Sequence, residues 1–325
     1  MLVLGLQGSP RRNGNTHFLL SAFMKALDGP GVEVRVVEID EMHIVPCKEY
    51  LVCEREGFCP IDDDMKNEIY PLLREAEIIV VATPIFFYGT TAQIKALIDR
   101  SQALWARRYR LKLNDPGQKW RRGFLLALGA TRGENLFRGV SLTARYFFDA
   151  VGAGYEGSLT YRCIEKPGDM EKHPTVFEDV KKAAGSLLRP FLGRKKILFA
   201  CRENACRSQM ASAFIQQLAG DKIEVLHGGK NPASRVNPIM IEVMKEKGID
   251  MAFRRPKSIE DALKGGLPDR IITLGCDDVC PFSPGVEFMD WAIPDPAGQP
   301  INVMRRVRDE IKKKVIQLIE EGWNG

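Results

Sequence analysis

No long apolar run opens the sequence: MLVLGLQG breaks after a few residues and lacks a basic leader. That excludes a signal peptide and a membrane span there, and a cytoplasmic protein with no membrane partner is the expectation. Blocks of like charge are also missing. The formal net charge is only +5 over 325 residues and the basic residues are scattered, so no nucleic-acid surface is expected. Neither an internal repeat of fixed period nor a low-complexity tract occurs. What is present is the composition of a soluble globular protein, 45% apolar and 27% charged, at a length that suits two domains with a core each. Without a secretion signal the eight cysteines are expected to stay mostly reduced, which points to metal binding, catalysis or thiol redox chemistry ahead of structural disulfides.

Short apolar runs alternate with amphipathic stretches. LVLGLQ, VEVRVVEI, AEIIVVATP, GFLLALGA and EGSLTYRC read as five strands, with THFLLSAFMKAL and TAQIKALIDRSQALW among the helical segments between them. Strands apolar on both faces and separated by helices define a parallel sheet covered on both sides. HPTVFEDVKKAAGSLL closes this part, and RPFLGRKK, with proline, glycine and four basic residues, reads as a linker. The rhythm restarts with KKILFAC, KIEVLHGG, DRIITLGC and VEFMDWAIPD. In the last helix, Val307, Ile311, Val315 and Leu318 fall on one face, the spacing of a helix packed on a sheet. The expected architecture is α/β: two doubly wound parallel-sheet domains, residues 1–188 and 195–325, joined by residues 189–194.

The first strand ends in GLQGSPRRNGNTHF. A loop of Ser9, Pro10, Arg11, Asn13, Gly14 and Asn15 leads to Thr16, where a helix should begin. Free backbone N–H groups at a helix start, with hydroxyl and arginine side chains, make a phosphate socket. The loop is neither G-x-G-x-x-G nor one ending in G-K-[ST], and the alternative is a tight turn that binds nothing. Together with TPIFFYGTTAQIKALIDR, residues 83–100, it resembles the NAD(P)H-dependent FMN reductase and iron–sulfur flavoprotein families, over about the first 188 residues.

The resemblance implies a flavodoxin-like fold and FMN, its phosphate at Ser9, Arg11, Asn13, Asn15 and Thr16 and its ring against Pro84, Ile85, Phe86, Phe87, Tyr88 and Gly89. It also implies NAD(P)H as electron donor and a homo-oligomer formed through this domain. A third loop, from Gly129 through Ala130, Thr131 and Arg132 to Gly133, closes the ring pocket, and loops after strands one, three and four converge at the switch point of a doubly wound sheet. Iron–sulfur flavoproteins carry four clustered cysteines before an acidic DDM. Here PCKEYLVCEREGFCPIDDDM supplies Cys47, Cys53 and Cys59 with Tyr50 at the fourth place, so an iron–sulfur cluster is not expected. Cys163, alone near a strand, reads as a small buried apolar residue.

The second half opens on ILFACRENACRSQ. Cys201 and Arg207 stand in C-x5-R spacing, with Arg202, Glu203, Asn204, Ala205 and Cys206 between them and Ser208 at the start of a helix whose apolar face uses Met210, Phe214 and Leu218. A loop of that length wraps its N–H groups around a tetrahedral oxyanion while Arg207 grips two oxygens. Cys201 is left beneath the central atom as a thiolate nucleophile. Asp295, between prolines in DWAIPDPAG, is a candidate acid for the departing oxygen.

These segments, with GGKNPASRVNPIMIEVMKEKGID, closely resemble the low-molecular-weight protein tyrosine phosphatase superfamily and its arsenate reductase branch, over about residues 195–322. The resemblance implies Cys201 as nucleophile, Arg207 as oxyanion clamp, Asn204 and Ser208 as loop-shaping residues and Asp295 as general acid. His227, where the family has a small residue, reads as structural.

After Asp295 come Pro296, Ala297 and Gly298, a small rim that suits an inorganic oxyanion better than a phosphotyrosine ring. LGCDDVCPFSPG adds Cys276 and Cys280, and a thiol pair that closes into a disulfide delivers the two electrons that separate arsenate from arsenite. The expectation is therefore an arsenate reductase. Cys201 attacks arsenic, Cys276 or Cys206 attacks Cys201, Cys280 moves the disulfide outward, and the FMN domain, thioredoxin or a small thiol restores it. Two other functions stand beside it: a low-molecular-weight protein tyrosine phosphatase under redox control by the flavin domain, and a non-enzymatic FMN redox sensor.

Overall fold

Runs that are apolar on both faces form the middle of each sheet. In the computed structural model, which describes residues 1–275 and 285–322, β1 (Leu2–Gln7) is buried throughout and β3 (Ile78–Pro84) nearly so. With β2 (Glu33–Glu38), β4 (Arg122–Leu128) and β5 (Gly154–Tyr161) they make a parallel sheet in the order β2-β1-β3-β4-β5. The helices between them are α1 (Asn15–Leu27), α2 (Val52–Glu56), α3 (Tyr70–Glu75), α4 (Ala92–Arg100), α5 (Gln102–Tyr109), α6 (Arg138–Val151) and α7 (Val176–Leu188). The single long helix read from TAQIKALIDRSQALW is broken at Ser101, whose hydroxyl donates to Leu97 O. Chain order reverses between β1 and β3, so the loops after these strands diverge and open a crevice at their carboxyl ends.

The second sheet runs β7-β6-β8-β9, also parallel: β6 (Lys195–Cys201), β7 (Ile223–Gly229), β8 (Arg270–Thr273) and β9 (Glu287–Asp290). Its helices are α8 (Arg207–Ala219), α9 (Pro238–Lys245), α10 (Ile259–Leu263) and α11 (Ile301–Glu320). Val307, Ile311, Val315 and Leu318 of α11 are buried in one cluster with Met210 and Phe214 of α8. The expected apolar face of α8 also included Leu218, which is exposed in the last turn. The helix from Arg207 to Ile215 is instead buried all round, polar residues included, because its first turns form the floor of a site. Cys201 ends β6, between β7 and β8, at this sheet's own switch point.

The two compact units are residues 1–112 with 118–190, and 191–325 with 113–117. The five-residue exception groups with the second unit because Asn114 N–H donates to Gly248 O and Asn114 O accepts from Asp250 N–H. Among the described residues no helix is long and apolar enough to cross a membrane.

Candidate functional site

In the second unit, residues 201–205 turn sharply after β6. The carbonyls of Cys201, Arg202, Glu203 and Ala205 accept from the N–H groups of Lys230, Asn231, Ala233 and Asn237. A trans peptide points its N–H opposite to its C=O, so the amide hydrogens of Arg202, Glu203, Asn204 and Cys206 face the other way, into the turn. Asn204 N–H demonstrates it by donating to Cys201 Sγ at 3.2 Å. Gly229 permits the close approach: a Cβ there would lie 2.7 Å from Asn204 N.

Asn204 is fully buried with φ +50, a left-handed conformation held by its side chain. Lys257 N–H donates to its Oδ1 at 3.0 Å, which fixes the amide orientation and turns Nδ2 to Ser208 Oγ at 2.8 Å. Ser208 Oγ lies 3.0 Å from Cys201 Sγ and, having accepted from Asn204, has its own hydrogen left for the sulfur. His227 Nδ1 is 3.0 Å from Asn204 Oδ1 and must carry the proton. Burial, then the charges of Lys257 and Arg254, push the imidazole well below its ordinary pKa, so it is the neutral tautomer. Gln209 adds Nε2 to Asn204 O at 3.0 Å. Sequence reasoning missed Gln209 and Lys257 and read His227 as structural without its partner.

Arg207 is almost fully buried. Its Nη1 donates to Leu274 O at 2.8 Å and Ile293 O at 2.9 Å, and Nη2 to Asp295 Oδ2 at 2.7 Å. Gly275, at φ +77, makes room, since a Cβ would sit 2.8 Å from Ile293 O and 3.2 Å from Nη1. Asp295 is half exposed, its other oxygen accepting from Ala297 N–H. Asp290 Oδ1 accepts from Thr273 Oγ1, Gly275 N–H and Ala292 N–H, tying the ends of β8 and β9 together. Burial alone would raise its carboxyl, but these donors outweigh it and hold it below the usual range.

Cys206 is buried with its sulfur 3.2 Å from Met304 Sδ, and burial, then the neighbouring Cys201, push its thiol well up. Cys276 and Cys280 lie outside the described residues.

In the first unit three loops meet. Thr91 Oγ1 donates to Gly8 O at 2.6 Å, joining the loops after β1 and β3. Phe86 and Gly89 exchange both backbone hydrogen bonds around Phe87 and Tyr88, whose φ values of +48 and +63 make a left-handed two-residue turn. Phe87 is fully exposed, and Phe86 and Tyr88 are about half so. Ile85 N–H donates to Leu128 O, and Tyr88 reaches the third loop, its hydroxyl 2.9 Å from where a Cβ on Gly133 would stand.

Ser9 and Thr16 are buried, Arg11 is exposed, and Asn13 takes φ +57. Asn15 is tied to another loop. Its Nδ2 donates to Lys166 O at 2.8 Å and its Oδ1 accepts from Met170 N–H at 3.1 Å, so both ends of the amide serve a loop 151 residues away. The expectation of a buried Cys163 is corrected: it is exposed at φ +59, with Arg132 Nε 3.4 Å from its sulfur, because the chain turns outward after β5.

The donor set suits FMN. Helix α1 starts without a side-chain cap, and Gln7, unmarked in the sequence reading, holds Ser9 N–H on Oε1 while its buried Nε2 has no acceptor among the described residues. The donors therefore exceed the acceptors where a phosphate would sit. Cys47, Cys53 and Cys59 come with an exposed Tyr50 in the fourth place, which supplies no thiolate, and burial, then Cys59 and Cys47, push the Cys53 thiol up.

A cysteine turn at the switch point of a parallel sheet, with an arginine opening the next helix and a late aspartate on that arginine, is the arrangement of a low-molecular-weight phosphatase-like fold. The β2-β1-β3-β4-β5 sheet with three loops meeting at its strand ends is that of a flavodoxin-like fold. The chain belongs to the low molecular weight phosphotyrosine protein phosphatase family through residues 196–322, and its residues 1–155 match the NADPH-dependent FMN reductase family. Arsenate reductase 1 of Bacillus cereus is 41% identical over 132 residues, 40% of this chain and 97% of that protein. An iron–sulfur flavoprotein of Methanocaldococcus jannaschii is 38% identical over 104 residues, 32% of this chain and 53% of that protein, so the match spans about half of that relative. A solved arsenate reductase in the phosphate binding state is 37% identical, with 39% of this chain and 98% of that one covered and a TM-score of 0.35.

Proposed function

We propose that the second unit reduces arsenate to arsenite and that the flavin unit supplies the electrons. The observation that carries this reading is Cys201 Sγ inside the amide turn, bonded by Asn204 N–H and Ser208, with Arg207 and Asp295 joined at 2.7 Å. Ala297 and Gly298 after Asp295 are small and exposed, a rim that suits an inorganic oxyanion better than an aryl substrate.

Arsenate seats its oxygens on the turn's amides and Arg207. The thiolate of Cys201 bonds to arsenic while one As–O bond breaks, and Asp295 gives its proton to the leaving oxygen, which departs as water. Cys276 then attacks the Cys201 sulfur. The S–As bond breaks with its electron pair passing to arsenic, As(V) becomes As(III), and arsenite leaves as the disulfide forms. Cys280 attacks Cys276 in turn, freeing Cys201 and leaving a Cys276–Cys280 disulfide. Cys206 takes no part, because a thiol held protonated beside Met304 is a poor nucleophile.

Ser9, Arg11, Asn13 and Thr16 would hold the FMN phosphate, and Pro84 to Gly89 with Gly129 to Gly133 the ring. Bound FMN supplies the passage of an electron pair from NAD(P)H to the disulfide. Thioredoxin or a small thiol is the alternative donor. No step passes through a metal cluster.

The test is arsenite formation by purified protein with FMN, NADPH or NADH and arsenate, without a thioredoxin system. Normal flavin reduction with no arsenite overturns internal transfer. No arsenite even with thioredoxin or dithiothreitol overturns arsenate reduction itself. A phosphatase under redox control shares the same oxyanion turn, and rapid aryl phosphate hydrolysis unaffected by Cys276→Ser and Cys280→Ser would select it.

A further inference from the structure

Residues 162–170 follow β5, and the sequence assigns them no role. At one end they hold the third flavin loop. Ile164 N–H donates to Gly129 O at 3.1 Å, Arg162 Nη2 to Glu134 O at 2.9 Å, and Arg132 Nε approaches Cys163 Sγ at 3.4 Å. At the other end they hold the phosphate loop, through Lys166 O and Met170 N–H on the two ends of Asn15. Between these anchors Asp169 Oδ2 accepts from the N–H groups of Glu165 and Lys166 at 3.0 and 2.7 Å, which closes the segment on itself. Ile164 and Met170 are buried beneath it, while Arg162, Cys163, Glu165 and Lys166 are exposed.

We propose that residues 162–170 form a fourth wall of the flavin site, and that Asn15 serves the site by stapling this wall to the phosphate loop instead of binding the phosphate. The inference rests on the FMN reading above. The bonds to Asn15 leave no ambiguity of orientation: a backbone N–H only donates and a carbonyl only accepts, so Oδ1 belongs to Met170 and Nδ2 to Lys166. A side chain with its oxygen on one backbone group and an amide hydrogen on another is held in place by the loop, with a single N–H left over. The wall touches the ring loop and the phosphate loop at once, so its stability bears on the whole cofactor, ring and tail together. Asp169 acts on the same wall from within, without touching the phosphate loop.

The experiment uses the full chain stripped of flavin, titrated with FMN and with riboflavin by fluorescence quenching. Asn15→Ala and Asp169→Ala are each expected to weaken FMN and riboflavin by the same factor, about tenfold, because the wall fails and not the phosphate contact. The Met170 amide should exchange hydrogen faster in Asn15→Ala. In the unaltered protein, FMN should slow maleimide labelling of the exposed Cys163. Asp169 lies outside every helix and strand, so its variant tests the wall even if the Asn15 variant folds poorly. A loss confined to FMN in Asn15→Ala makes Asn15 a phosphate ligand and overturns the proposal. Unchanged affinities in both variants, or Cys163 labelling indifferent to FMN, also overturn it. Failure of the unaltered protein to bind either flavin removes the FMN reading itself, a result distinct from a wall that proves dispensable.

Discussion

Arg207 Nη2 lies 2.7 Å from Asp295 Oδ2, so the cation proposed to receive the oxyanion and the carboxyl proposed to serve the leaving oxygen are one bonded pair. An amide at position 295 keeps an oxygen for Arg207 but has no proton to give. Asp295→Asn is expected to slow arsenate reduction about a hundredfold. Hydrolysis of an aryl phosphate whose phenol is already acidic should suffer far less, since that leaving group departs unassisted. Steady-state kinetics on both substrates checks this, and equal losses would remove the acid role.

Gly275 permits the guanidinium's position through its left-handed backbone and its missing side chain. Gly275→Ala should displace Arg207 from Ile293 O and weaken phosphate or arsenate inhibition about tenfold or more. Circular dichroism should stay close to that of the parent. Unchanged inhibition constants would show that the guanidinium needs neither carbonyl.

Burial holds the Cys206 thiol protonated through neutral and mildly alkaline pH. Cys206→Ser should leave arsenate turnover within about twofold, and iodoacetamide at pH 8 should leave Cys206 unmodified in the folded protein. Cys276→Ser should instead stop arsenate turnover. Peptide mapping and arsenite formation by the two variants decide between these thiols.

His227 is neutral in the fold and has an ordinary pKa of about 6.5 when unfolded, so below that pH the unfolded chain binds the extra proton. Its contribution to stability is fully present above pH 6.5 and is lost as pH falls toward the depressed folded value. The melting temperature of the second unit should therefore drop between pH 6.5 and 5. His227→Phe should flatten that slope while losing a hydrogen bond to Asn204. Calorimetry across this range checks it, and an unchanged slope would assign the drop to other groups.

The strands were legible because their apolar runs are local, and KKILFAC coincides with β6 residue for residue. Cys201, Arg207 and Asp295 were legible because a seven-residue spacing and a proline-framed acid are local patterns as well. What supports them was not. Asn204 is held by His227 and Lys257, 23 and 53 residues away, and Asn15 by a loop 151 residues away. Each bond depends on where separate strands end, and no composition or period encodes it. Leu218 was misread for a related reason: periodicity finds one apolar face, but α8 is enclosed on all sides only where it floors the site.

The carbonyls of residues 201, 202, 203 and 205 all face the 230–237 segment, and this has a consequence for how the site tolerates change. A receptor for anions made of peptide groups has no side chain to lose at Arg202, Glu203 or Ala205. Replacement there should be forgiven as long as the chain keeps its count. One residue added or removed would rotate every peptide plane that follows, so the chemistry is guarded by length more than by identity.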